Sequence, residues 1–164
     1  MRDVMIRVEH VEKEFNKELV LKDVTHDFEA GKIHGIVGNN GSGKTVLFKC
    51  ICGFLTPDRG KIWVDYEQVG VDVDFPGDLG AIIETPGFLG NLTGFKNLKL
   101  LANLRRRIGN QKIREAIRRV GLDPDLKKPV GKYSLGMRQR LGIAQAIMEA
   151  VSYTHLTLPT KLEV

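Results

Sequence analysis

The chain has 164 residues, of which 42% are hydrophobic and 27% charged, and carries a formal net charge of +5. That length suits one domain with a sizeable core, and the composition excludes disordered and fibrous classes. No apolar run approaches the ~18 residues of a membrane span, and Met1-Arg2-Asp3-Val4-Met5-Ile6-Arg7-Val8-Glu9 lacks the apolar core of a secretory leader, so a cytoplasmic protein is expected.

In chain order, Val4, Ile6 and Val8 alternate with Met5, Arg7 and Glu9 as in a half-buried strand. A second strand is expected from Val24 to Phe28, then a turn at Glu29-Ala30-Gly31-Lys32 and a short buried strand from Ile33 to Val37. A helix should follow from Lys44 to Cys52, with Gly53 placed to end it. The turn Pro57-Asp58-Arg59-Gly60 precedes an expected strand from Lys61 to Tyr66, and residues 81–84 read as one more short strand. Beyond them the period changes. Leu98, Leu101, Leu104 and Ile108 share one helical face, and Ile113, Ala116, Ile117 and Val120 share another. A linker over 121–133 leads to a last helix from about Gly136 to Glu149.

Cys50 and Cys52 project in different directions from one helix and have no further ligands nearby, so they read as core-filling thiols rather than a metal site. The positive charge gathers at Arg105-Arg106-Arg107, Arg114, Arg118, Arg119 and Lys127-Lys128, beside the amphipathic helices. With no aromatic residues interleaved, this is a solvated helix face, and no nucleic-acid partner is expected.

The strongest chemical signal is Gly38-Asn39-Asn40-Gly41-Ser42-Gly43-Lys44-Thr45, a complete P-loop pattern with an apolar strand before it and a helix after it. The three glycines let the backbone curl so that successive N–H groups face phosphate oxygens, and the helix N-terminus adds its partial positive charge. Lys44 can reach the β- and γ-phosphates, and the Thr45 hydroxyl can ligate Mg²⁺. The loop alone means a nucleotide binder of unspecified kind.

A second motif about 90 residues on narrows the class. Tyr133-Ser134-Leu135-Gly136-Met137-Arg138-Gln139-Arg140-Leu141-Gly142-Ile143-Ala144 resembles the signature sequence of ATP-binding-cassette (ABC) proteins. Ser134, Leu135, Gly136, Met137, Arg138 and Gln139 stand where that family usually has Ser-Gly-Gly-Gln or a close variant. Ser134 can cap the helix and Gly136 exposes its backbone, making a second anion site. The resemblance implies that this site closes on the γ-phosphate of ATP held by the opposite subunit. Phe15, ahead of a strand at Val20-Leu21-Lys22-Asp23-Val24, matches the aromatic that stacks on adenine in the family, and Ile82-Ile83-Glu84-Thr85-Pro86-Gly87-Phe88 sits where the family has its Q-loop. There Glu84 replaces the usual glutamine as the candidate catalytic and Mg²⁺-contacting residue, a variant similar to that of transporters for bacitracin-like and lantibiotic peptides.

The resemblance spans about residues 3 to 149. It implies an α/β fold, a P-loop NTPase (RecA-like) core with an N-terminal antiparallel β subdomain and a helical subdomain, incomplete at the C-terminal end. The β subdomain and P-loop would occupy about 1–85, the helical subdomain about 86–135 and the signature helix 136–149. Residues 86 to 133 would dock on a membrane-spanning permease subunit. ATP and Mg²⁺ are the implied cofactors, a homodimer or a paired second ATPase subunit the implied assembly, and the inner face of the cell membrane the implied place.

After Glu149 the family would continue into a Walker B strand ending in Asp-Glu, a D-loop and a switch histidine. Residues 150–164 lack this pattern; Val-Ser-Tyr-Thr-His-Leu-Thr-Leu-Pro-Thr resembles translated sequencing-adaptor sequence, so the tail is expected to be non-native. Such a chain would bind ATP without hydrolysing it, and its strand at 33–37 would be left with an unpaired edge. Two other classes remain open: a soluble cassette ATPase acting on ribosomes or DNA, and a non-functional gene fragment. A small P-loop kinase or GTPase would need its Walker B at Ile62-Trp63-Val64-Asp65 or Ile82-Ile83-Glu84, and would leave the signature motif unexplained.

Overall fold

The computed structural model describes residues 4–77, 79–83, 87–105, 108–148 and 160–163, excepting the side chains of Arg105 and of 160–163. The chain divides into two compact units. One takes the residues up to Gly77 together with those from Ser152 onward, and the other takes Asp78 to Val151.

The first unit is built on a long hairpin. Strands β1 (Val4–Phe15) and β2 (Glu18–Glu29) pair antiparallel through the two-residue turn Asn16-Lys17, whose φ values of 51° and 68° give the hairpin the twist its strands need. β1 runs well beyond the expected 4–9, while β2 joins the segments expected at 20–24 and 24–28 into one strand. The alternation fades after Glu9 because register shifts at Val8/Val11, Val11/Lys13 and Lys13/Glu14 break the period of two. Strand β3 (His34–Val37) leads to α1 (Lys44–Ile51), which ends at Gly53 with φ 79°. Strand β4 (Arg59–Val64) pairs with β1, and β5 (Glu67–Gln68) folds back on β4, giving the sheet order β2-β1-β4-β5. The expected strand end at Asp65-Tyr66 is a turn instead, with φ 48° and 70°.

Helix α1 lies against β2 and β4. Its buried Leu47 and Cys50 join Val8, Val11, Leu21 and Ile62 in the core. Full burial of each large aliphatic contributes roughly 1.5–3 kcal/mol. Both cysteines are free and buried, as core fillers should be, and burial pushes the Cys50 thiol up to about 11.

Strand β3 pairs in parallel with β6 (Thr160–Glu163), His34 opposite Thr160 through Val37 opposite Glu163. The expected loss of neighbours is thus made up on one side by β6, while among the described residues the other edge of β3 has no ladder partner. Backbone donors and acceptors demand partners, and these four residues supply them on one side. Ile33 and Val37 nonetheless stay 41% and 46% exposed.

The second unit holds α2 (Gly94–Arg105), α3 (Asn110–Arg119), a 3₁₀ turn (Val130–Lys132) and α4 (Leu135–Ile147). Leu98, Ala102, Ile113, Ala116, Ile117, Val130, Leu141 and Ala144 form its core. Ile113, Ala116 and Ile117 are buried as their spacing required. Of the face proposed for Leu98, Leu101, Leu104 and Ile108, Leu98 is buried and Leu101 and Ile108 pack against the core, whereas Leu104 is 81% exposed, because Leu98 and Ala102, four apart, define the inward line of α2. Of the strand expected at 81–84, residues 81–83 have no ladder partner among the described residues and form none; Ile82 and Ile83 instead line a groove. No helix among the described residues is long and apolar enough to cross a membrane.

Candidate functional site

β3 delivers the chain to Gly38, and residues 38–43 curl back to start α1 at Lys44. Gly41 and Gly43 have φ of 86° and 93°, left-handed values that a residue with a Cβ adopts only under strain. Gly43 carries a second constraint. A Cβ there would meet Leu21 Cδ2 at 2.9 Å, the Val20 carbonyl oxygen at 3.0 Å and Val20 Cγ1 at 3.2 Å. The third glycine thus seats the loop directly on β2, while a Cβ at Gly41 would meet nothing within 4 Å.

The Ser42 N–H donates to the Asn39 carbonyl at 3.1 Å, closing the turn. The Lys44 ammonium donates to the Gly38 and Asn39 carbonyls, both at 2.7 Å, and lies 3.4 Å from Ser42 Oγ. Leu47 N–H makes the first helical bond, to the Gly43 carbonyl at 2.9 Å, and no side chain caps the helix. The N–H groups of Lys44, Thr45 and Val46 are therefore the helix's orphan donors, converging with the dipole's positive end beside an ammonium. Thr45, in that first turn, is exposed. A polyphosphate fits this cradle: loop residues 38–41 are exposed, and a charge-assisted bond to phosphate is stronger than the lysine's bonds to neutral carbonyls. Thr45 is the described side chain that would hold Mg²⁺. Glu84 lies outside the described residues.

Phe15 closes β1 with its ring 40% exposed and the Lys13 ammonium 5.5 Å from the ring centroid.

The signature residues belong to the second unit. Ser134 is the N-cap of α4, with φ −64° and ψ 163°, and its Oγ accepts from Met137 N–H at 3.2 Å. Leu135 is 61% exposed, and a Cβ on Gly136 would meet nothing within 4 Å, so the helix start is open to a ligand. Gln139 is exposed, Met137 and Arg138 are half-buried, and Arg138 Nε is buried without a hydrogen-bond partner. Just before the cap, Tyr133 is buried, which pushes its hydroxyl up.

Sequence reasoning missed Asn97, the one buried polar side chain among the described residues. Its Oδ1 accepts from Leu89 N–H at 2.8 Å, and its Nδ2 donates to the carbonyls of Leu89 at 3.1 Å, Leu92 at 3.4 Å and Thr93 at 3.1 Å. It thereby latches the loop before α2 onto the helix, beside a groove of about 390 Å³ lined by Ile82, Ile83, Phe88, Leu89 and Leu100 among others. An asparagine inside an apolar helical stripe was the available signal.

A strand, a glycine-rich loop seated on a neighbouring strand, an invading lysine and an uncapped helix define a P-loop nucleotide-binding protein. The comparisons with known proteins narrow this. The family model described as ABC transporter matches residues 21–156, and the chain belongs to the ABC transporter ATP-binding family. It is 40% identical to the ABC transporter ATP-binding protein YybJ of Bacillus subtilis, over 95% of this chain and 72% of that protein. It is 37% identical to the bacitracin transport ATP-binding protein BcrA of Enterococcus faecalis over 89% of this chain and 48% of the relative. For the lantibiotic transport ATP-binding protein SrtF of Streptococcus pyogenes the identity is 30%, over 95% and 67%. The chain thus spans only about half the length of several relatives. A solved ATP-binding subunit of an ABC transporter superposes with a TM-score of 0.72 at 26% identity, over 88% of this chain and 62% of that one. The dimeric cassette MJ0796, at 22% identity with a TM-score of 0.73, shares the fold over 88% and 70%. The expected α/β P-loop fold is borne out.

Proposed function

We propose that this chain is the nucleotide-binding part of the ATPase subunit of an ABC-type exporter acting on antimicrobial peptides, with ATP and Mg²⁺ as its ligands. The P-loop carries the reading. Gly41, Gly43 and the start of α1 would hold the triphosphate, Lys44 would neutralise its terminal phosphates, and Thr45 would supply a hydroxyl to Mg²⁺. A bound Mg²⁺ neutralises charge on the phosphates; hydrolysis is a property proposed for the whole subunit, with Glu84 as its candidate catalytic residue. Phe15 would stack on the base, and Ser134, Gly136 and the α4 N-terminus would close on the triphosphate of a second, like subunit.

The apolar groove around Ile82, Phe88 and Leu100 would receive a helix of a membrane-spanning permease, placing the subunit on the inner face of the membrane. The transport names of BcrA and SrtF favour this over a ribosome- or DNA-directed ATPase. Equilibrium titration with a fluorescent ATP analogue tests the binding claim: saturable binding by the unaltered chain and none by Lys44→Ala is expected, and equal affinity in both refutes it. Exporter function requires that a strain relying on this subunit lose tolerance to bacitracin-like peptides when Lys44→Ala is introduced; unchanged tolerance refutes that part.

A further inference from the structure

Beyond Glu12, which sits opposite Arg59, β1 has no further ladder partner on its β4 side among the described residues. Two register shifts fall between Val11 and Glu14, so the strand end that carries Phe15 is irregular on its other side as well. One side chain takes over. Asp58, in the turn before β4, accepts from the Glu14 N–H through Oδ2 at 2.8 Å and from the Lys13 ammonium through Oδ1 at 2.7 Å. Its own N–H donates to the Glu12 carbonyl at 2.9 Å. Lys13 keeps only 15% of its side chain exposed and holds the same ammonium 5.5 Å from the Phe15 centroid, within the range of a cation–π contact. That approach puts Lys13 and Phe15 on the same side of the strand end despite the register shift between them.

We propose that the Lys13–Asp58 pair is a positioning brace for the Phe15 ring, which it fixes as the platform for the nucleotide base. The proposal rests on the reading of Phe15 in the proposed function. The ion pair anchors the ammonium, the ammonium holds the ring by one side, and the bond to Glu14 N–H fixes the backbone one residue before the ring. A ring whose motion is already restricted loses less freedom when a base stacks on it. The bonds from Lys13 and from the Glu14 N–H favour the ionised Asp58 carboxyl and hold its pKa below the usual carboxylate value.

The test compares ATP with inorganic tripolyphosphate, each with Mg²⁺, by calorimetric titration of the full chain. Tripolyphosphate reports the P-loop and has no base. Lys13→Met and Asp58→Asn should each weaken ATP roughly 5- to 20-fold, part of what a stacked base contributes, and leave tripolyphosphate unchanged. Phe15→Ala should do the same, and adding Lys13→Met to it should cost nothing more. Unchanged ATP affinity in both brace variants overturns the proposal, as does an equal loss for both ligands or a full Lys13→Met effect in the Phe15→Ala background. If the unaltered chain ignores tripolyphosphate, the P-loop reading itself fails; if only Phe15→Ala is without effect, the base-platform reading fails while the P-loop reading stands.

Discussion

Gly43→Ala and Gly41→Ala together form a sharp test of the loop geometry. Both glycines are left-handed, at φ 93° and 86°, so an alanine costs about 1–2 kcal/mol at either position. Only Gly43 is also crowded. Its new methyl would press on Leu21 Cδ2 at 2.9 Å and on the Val20 carbonyl oxygen at 3.0 Å, and that oxygen belongs to β2 and cannot move alone. Overpacking of this kind costs a further ~1–3 kcal/mol. Gly43→Ala should therefore destabilise by about 2–5 kcal/mol and Gly41→Ala by about 1–2 kcal/mol. Because the strain is relieved by lifting the start of α1 from β2, Gly43→Ala should also weaken tripolyphosphate binding at least ~10-fold. Urea unfolding gives the first difference and calorimetric titration the second. Equal stability losses in the two variants would show that the loop is not seated on β2 as described.

Asn97→Ala should cost about 1–3 kcal/mol, measured by the urea midpoint, since it takes the acceptor from the Leu89 N–H, while the carbonyls of Leu89, Leu92 and Thr93 keep their backbone donors. Ser134→Ala should cost about 1 kcal/mol through loss of the bond from Met137 N–H, and Ser134→Thr should restore most of it. A pH effect is expected at His26, whose Nε2 is buried without a partner and whose pKa is lowered by burial and then by nearby His34. The folded state favours neutral imidazole, so the unfolded chain binds more protons. The contribution is present above about pH 6.5, the unfolded value, and lost as pH falls through it towards the lower folded value. His26→Phe should flatten the stability profile as pH falls below about 6.5; an unchanged profile would remove His26 as the cause.

The P-loop was legible because its chemistry is local: eight consecutive residues hold the glycines, the lysine and the threonine, and the strand and helix on either side declare themselves by apolar runs. The cap at Ser134 was legible for the same reason, since its bond spans only three residues. Core positions on α3 followed from spacing, as one apolar stripe decides them. The Asn16-Lys17 hairpin escaped notice because its turn lies within a charged stretch where the alternation has already broken.

What the tertiary structure decided joins residues distant in sequence. The reason Gly43 must be glycine lies on β2, in Val20 and Leu21. The brace on Phe15 comes from Asp58, more than forty residues away. Strand pairing separated the apolar runs: the strand expected at 33–37 formed and pairs with β6, whereas residues 81–83 have no ladder partner among the described residues. Sequence spacing fixes which faces a helix or strand can offer, but only packing determines which backbone groups find partners, and a buried group without one is too costly to keep.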